Sequence, residues 1–168
     1  MIKIKLLLIF LLLWSPIFSQ ANWVSPKYGY SIEIPENFQI AKPVGANVDF
    51  KAVNGINSIV VVVQKLPSEY TNIPIWELLG DLETYGAEWE DGAREYLNNP
   101  KFVKYGQTTL NGLETFWYDY TTDSPGLYSK TYQTQKDGII YTITLTCIVE
   151  DFNFYSPIWY RFKNNIEF

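Results

Sequence analysis

Residues 102–148 read FVKYGQTTL-NG-LETFWYDYTTD-SPG-LYSKTYQTQK-DG-IIYTITLTCI, and this stretch decides the fold class. Asn111-Gly112 and Asp137-Gly138 are two-residue turns of the kind that tolerate positive φ at both central positions. Each lies between runs in which apolar and polar residues alternate. Ser124-Pro125-Gly126 adds a third turn. Three turns cut the stretch into a meander of four antiparallel strands. The last strand is the clearest: Ile139, Tyr141, Ile143, Leu145 and Cys147 face one way, and Thr142, Thr144 and Thr146 the other.

Upstream, Tyr28, Tyr30, Ile32 and Ile34 alternate with Gly29, Ser31 and Glu33, a half-buried strand stopped by Pro35. Phe38 to Ala41 is a short strand candidate. Val48 to Val53 and Ser58 to Leu66 form two more, with Asn54-Gly55 between them as a hairpin signal. The run from Ile59 to Val63 is apolar on both faces, which predicts a central strand covered on both sides. The period then changes. Ile75, Leu78, Leu79, Leu82, Tyr85 and Trp89 follow helical spacing behind Pro74, with a break near Asp91-Gly92. A second short helix carrying Ala93, Tyr96 and Leu97 is expected before Pro100. After the meander, Ser156-Pro157 reads as a cap and first-turn proline of a closing helix with Tyr155, Ile158, Trp159, Phe162 and Ile166 as its apolar stripe. Grouped strands with separate helices give an α+β class: an antiparallel sheet packed by helices as an α/β/α sandwich.

At the other end, Lys3 and Lys5 precede an unbroken apolar run from Leu6 to Trp14. Ser15-Pro16 closes it, and Ser19-Gln20-Ala21 offers small residues for a signal peptidase. Residues 1–21 are therefore expected to be a signal peptide and 22–168 a single α+β domain, exported to the periplasm or secreted. The apolar run falls short of the roughly 20 residues that a membrane span needs, so no span is expected after cleavage. Losing Lys3 and Lys5 takes the basic count from 13 to 11 against 18 acids, a net charge of about −7. An acidic domain repels phosphate backbones, which argues against nucleic acid as a partner.

The 168 residues contain no histidine, which removes Ser-His and Cys-His nucleophilic sites and His-dependent zinc sites. Cys147 is the one cysteine, so no internal disulfide can form; its place in an apolar strand predicts a buried, inert thiol. The acidic run Asp81, Glu83, Glu88, Glu90, Asp91 and Glu95 fits a solvated helix face and matches no calcium loop. Glu114, Asp119 and Asp123, on or beside one strand, are the carboxylates that a hydrolase pair would draw on. Phe116, Tyr118, Asp119 and Tyr120 on one strand, with Tyr128 and Tyr132 on the next, are the candidate ligand-binding residues. Such aromatic ladders can grip a ligand, and they also serve as ordinary cross-strand packing. No catalytic residue, metal site or cofactor is assigned.

Several segments resemble one family. Tyr28-Gly29-Tyr30-Ser31-Ile32-Glu33-Ile34-Pro35 followed by Phe38 is similar to the opening strand of PsbP-like domains. Leu110-Asn111-Gly112 leading into Phe116-Trp117-Tyr118 resembles their central hairpin, and Gly138 to Thr146 their penultimate strand. The Tyr155-Ser156-Pro157 helix and the closing Ile166-Glu167-Phe168 resemble the family's end, with Glu167 where relatives often carry serine. The resemblance spans nearly all of the chain after the leader and implies the fold shared by photosystem II PsbP and the yeast Ran guanine-nucleotide release factor. Members include photosystem accessory proteins, a Ran-binding protein and bacterial envelope proteins, so the resemblance carries no functional residue across. The resulting expectation is a non-catalytic domain that acts as a protein-interaction or accessory module of the cell envelope, its partner another envelope or secreted protein. The alternative is a small-molecule or glycan-binding module, with carboxylate-dependent hydrolysis as a weaker variant.

Overall fold

The computed structural model describes residues 22–168, so the signal peptide expected over 1–21 lies outside the described residues. Among the described residues, nine strands and three α-helices follow in chain order. Strands β1 (Asn22–Val24) and β2 (Ser31–Glu33) form a small hairpin of their own. Strands β3 (Gln39–Ile40), β4 (Val48–Asn54), β5 (Asn57–Lys65), β6 (Lys101–Leu110), β7 (Leu113–Thr122), β8 (Leu127–Lys136) and β9 (Ile139–Ile148) form a second, antiparallel sheet ordered β3-β4-β5-β9-β8-β7-β6. The helices are α1 (Ile75–Leu78), α2 (Leu82–Ala93) and α3 (Phe152–Asn164).

The meander forms as its turns dictate. Asn111 and Gly112 take φ of 47° and 79°, Asp137 and Gly138 take 51° and 73°, and each pair closes a tight hairpin between directly opposed neighbours. The β4–β5 hairpin turns one residue later than expected. Asn54 pairs with Asn57, so Gly55 (φ 61°) and Ile56 are its central residues.

Packing splits the sheet into two unlike faces. On one, the odd-numbered residues of β5 and β9 (Ile59, Val61, Ile143, Leu145 and Cys147) are fully buried. The β1–β2 hairpin and α3 cover them through Trp23, Tyr30, Ile32, Trp159 and Phe162. Trp23 meets Phe50 at 4.7 Å, and Tyr141 meets Tyr30 at 5.5 Å and Phe168 at 4.9 Å. The chain end is tied in by reciprocal bonds, Ser31 N–H to Glu167 O (2.8 Å) and Glu167 N–H to Ser31 O (3.0 Å). On the other face α2 lies over β6 and β7. Gly86 lets it come close: a Cβ there would sit 2.8 Å from the Phe102 ring.

Four expectations need correction. The strand read over Tyr28 to Ile34 is paired only at Ser31–Glu33, because Tyr28 and Gly29 (φ 77°) belong to the turn that joins it to β1. Strand β5 is interior but not covered on both faces. Val60 and Val62 are only half-buried, because α2 ends its cover over the β6–β7 side. The helical run breaks at Gly80 (φ 72°) and Asp81, whose carboxylate accepts the Glu83 N–H (3.0 Å) and caps α2; beyond Ala93 the chain makes a turn and no second helix. Helix α3 begins at Phe152, which leaves Pro157 in its interior. The carbonyl that Pro157 cannot serve is that of Asn153, on the exposed side of the helix, where water can take the bond.

Candidate functional site

The sheet divides the candidate ligand residues between its faces. Phe116, Tyr118 and Tyr120 point toward α2 and lie under it. Tyr85 packs edge-on against Phe116 at 5.2 Å, and Trp89 lies 5.6 Å from Tyr118 and 4.7 Å from Tyr120. This ladder is packing rather than an open platform: Phe116 and Tyr118 are buried and Tyr120 half-buried. Burial pushes the Tyr118 phenol above its ordinary range and Tyr85 up to about 12.

Asp119, Tyr128 and Tyr132 share the opposite face and come together. Asp119 is fully buried. Its Oδ1 lies 2.6 Å from Lys130 Nζ on β8, its Oδ2 lies 3.5 Å from Lys104 Nζ on β6, and the Tyr128 hydroxyl donates to Oδ2. One carboxylate thus ties three adjacent strands. Lys130 Nζ also sits 3.9 Å above the Trp117 ring, whose opposite edge rests on Gly106, where a Cβ would fall 2.8 Å from the indole. Burial lowers the Lys130 pKa against the pull of Asp119, and burial followed by Asp119 raises that of Tyr128. The sequence reading named Asp119, Tyr128 and Tyr132 but missed Lys104, Gly106, Trp117 and Lys130. Counting outward from Asn111-Gly112 places Lys104 opposite Asp119. Lys130 is also opposite Asp119, but the longer turn between those strands hides that register.

The carboxylates of the hydrolase variant do not converge. Glu114 and Asp119 stand on opposite faces, five residues and so roughly 17 Å apart along β7. Asp123 lies past the strand end, where it accepts a bond from Asn99 (2.6 Å). Neither arrangement flanks one scissile bond. The acidic run has structural work instead. Asp81 caps α2, Glu90 accepts the Phe102 N–H (2.8 Å), and Asp91 pairs with Arg94 (2.6 Å). Among the described residues no three His, Cys, Asp or Glu side chains gather as a metal site, and no helix is long and apolar enough to cross a membrane.

Two further surfaces stand out among the described residues. Strand β6 is a sheet edge ten residues long. Val103 and Tyr105 on it are 50% and 45% exposed, and Tyr96, in the turn that leads to it, is 80% exposed beside Glu95. A cleft of about 560 Å³ lies between α3, the β2–β3 loop and the end of β4.

No family model and no curated protein matches the sequence. The solution structure of cyanobacterial PsbP (CyanoP) from Synechocystis is similar over 88% of this chain and 91% of that one, with a TM-score of 0.68 at 14% identity. The fold is PsbP-like. LpqN of Mycobacterium tuberculosis, a protein involved in cell envelope biogenesis, is similar over 86% of this chain and 82% of its own, with a TM-score of 0.54 at 10% identity. At such identities the PsbP-like fold is what is shared, and each protein's role remains its own.

Proposed function

We propose that this chain is an exported, non-catalytic accessory domain of the cell envelope that binds another protein through the α2–β6 segment. Tyr96, Val103 and Tyr105 carry the proposal: three large apolar side chains exposed within ten residues of chain, beside the acidic Glu95. Aromatic anchors within a polar surround are the usual anatomy of a protein-binding patch. Beneath this edge the Lys104–Asp119 pair ties β6 to β7. Lys101, Lys104 and the bulge between Phe102 and Lys104 discourage indiscriminate strand pairing. The partner therefore meets the side-chain pad rather than extending the sheet. The PsbP-like likeness and the envelope role of LpqN agree with an extracytoplasmic accessory role.

A photo-crosslinking residue placed at Tyr96 or Tyr105 in the producing cells should give one discrete, reproducible protein adduct. The same residue at Val44, 78% exposed but remote in sequence, should not. Equal labelling from Val44, or none from Tyr96 and Tyr105, would contradict this reading.

A further inference from the structure

A buried hydrogen-bond chain ends at the cleft beside α3. Tyr155 is only 5% exposed and lines the cleft. Its phenol oxygen accepts N–H bonds from Asn57 Nδ2 (2.8 Å) and Asn54 Nδ2 (3.2 Å). Asn57 has its orientation fixed from both ends: its Oδ1 accepts the Ile148 N–H (3.3 Å), and its Nδ2 also donates to the Asn54 carbonyl (3.1 Å). With both bonds arriving at oxygen, the phenol proton of Tyr155 is the last hydrogen of this chain. Turning the Asn54 amide over would let Tyr155 donate to it, but would leave the Asn54 N–H groups free instead. In either arrangement a donor is left over, and both residues line the cleft.

Packing does not require that hydroxyl. The Tyr155 ring meets Phe38 edge-on at 6.1 Å, a contact that phenylalanine would make as well. Its neighbour Phe154 also lines the cleft and is 67% exposed, so its ring is open to a ligand. Asn37, at the rim, is held in the left-handed region with φ 70°. Glu36 and Arg161 add one charge of each sign. A site with balanced charge, neutral amides, a donor at the end of a hydrogen-bond chain and one exposed aromatic ring that packs edge-on against Tyr155 selects neither an anion nor a cation. It suits a neutral ligand with many hydroxyls and an apolar C–H face. The cleft volume lies within the roughly 300–1,000 Å³ typical of small-molecule sites.

We propose that this cleft binds a neutral saccharide, one sugar ring lying against Phe154 and a sugar oxygen accepting the hydrogen bond of the Tyr155–Asn54 pair. The site is separate from the β6 edge, so it does not depend on the protein-docking proposal. The experiment is a titration of isotope-labelled protein of residues 22–168 with maltotriose and, separately, with triacetylchitotriose, read by amide and side-chain NMR shifts. Saturable shifts at Asn54, Phe154 and Asn57 with either probe are expected, and which probe gives them separates a storage-type glucan from an N-acetylated wall glycan. Phe154→Ala, which alters an exposed residue and leaves the fold intact, should weaken binding at least tenfold. Tyr155→Phe should do the same while keeping the remaining spectrum. The absence of saturable shifts with both sugars, or undiminished binding by both variants, would overturn the proposal.

Discussion

The two faces of the sheet solve the same problem differently. The α3 face is closed over β5 and β9: Ile59, Val61, Ile143, Leu145 and Cys147 interlock with Trp159, Phe162, Tyr30 and Ile32, all buried. The other face is covered by α2 over β6 and β7, with α1 reaching β7 and β8, and no residue of α2 is itself fully buried. Where α2 stops, the face turns polar. Thr131 and Thr144 pair their hydroxyls at 3.1 Å, and Ser129 and Thr146 at 2.9 Å, so cross-strand hydrogen bonds serve where no helix arrives. Hydrophobic stabilisation follows the area removed from water. The α3 face should therefore carry most of the stability, and the α2 face should be a lighter layer, freer to serve as a binding surface.

The largest test is alkaline pH, because buried phenols lie on both faces. Burial raises Tyr30, Tyr118, Tyr128 and Tyr132, takes Tyr85 up to about 12, and lifts the Cys147 thiol to about 12. An unfolded chain releases phenol protons near 10 while the folded one keeps them, so stability falls as pH climbs above about 10. Lys130 works the other way. Its folded pKa is lowered, so its contribution rises as pH approaches the unfolded value of 10.5, but one lysine opposes five tyrosines. Beyond the signal of exposed phenols such as Tyr96 and Tyr160, the phenolate absorbance of the buried tyrosines should therefore appear late and together with loss of the folded circular dichroism, in one steep step above pH 10. Complete phenolate absorbance in the still-folded protein would show the aromatic layers to be open.

The next test sets one tryptophan against another. Trp159→Ala on the α3 face should cost about 3–5 kcal/mol in urea unfolding. Trp89→Ala on the α2 face should cost about 1–2 kcal/mol, because the ring it removes is half-exposed and its space opens to solvent. Equal losses would erase the difference between the faces. Asp119→Asn lies between them. It strips the counter-charge from mostly buried Lys130, which should cost about 2–3 kcal/mol; exposed Lys104 adds little. The double variant Asp119→Leu with Lys130→Met should recover much of that loss. A double variant no better than Asp119→Asn would show that the cluster does more than balance charge.

Much of this comparison was legible in the chain. The turns at Asn111-Gly112 and Asp137-Gly138 fixed the meander, and the Thr142-Thr144-Thr146 alternation already marked which face of β9 would stay polar. The extent of cover was not legible. Val60 and Val62 read as buried because a local pattern shows apolarity on both faces, whereas cover depends on how far α2 reaches, and that was set by Gly80 and Asp81. The candidate aromatics were the right residue types divided by period 2 into different places, with Phe116, Tyr118 and Tyr120 going to packing and Asp119, Tyr128 and Tyr132 to the ion cluster. The cleft was invisible from the sequence, because it joins Asn54 to Tyr155 across 101 positions.

Native-state hydrogen exchange tests the central claim most directly, because it assigns an opening free energy to each strand. Amides of β5, β8 and β9 should exchange only through global unfolding, while those of α2 and the β6 edge exchange earlier, through a local opening that leaves the α3 face intact. If α2 and β6 were as protected as β9, the two faces would form one cooperative unit, and the account of a closed face bearing a lighter one would be wrong.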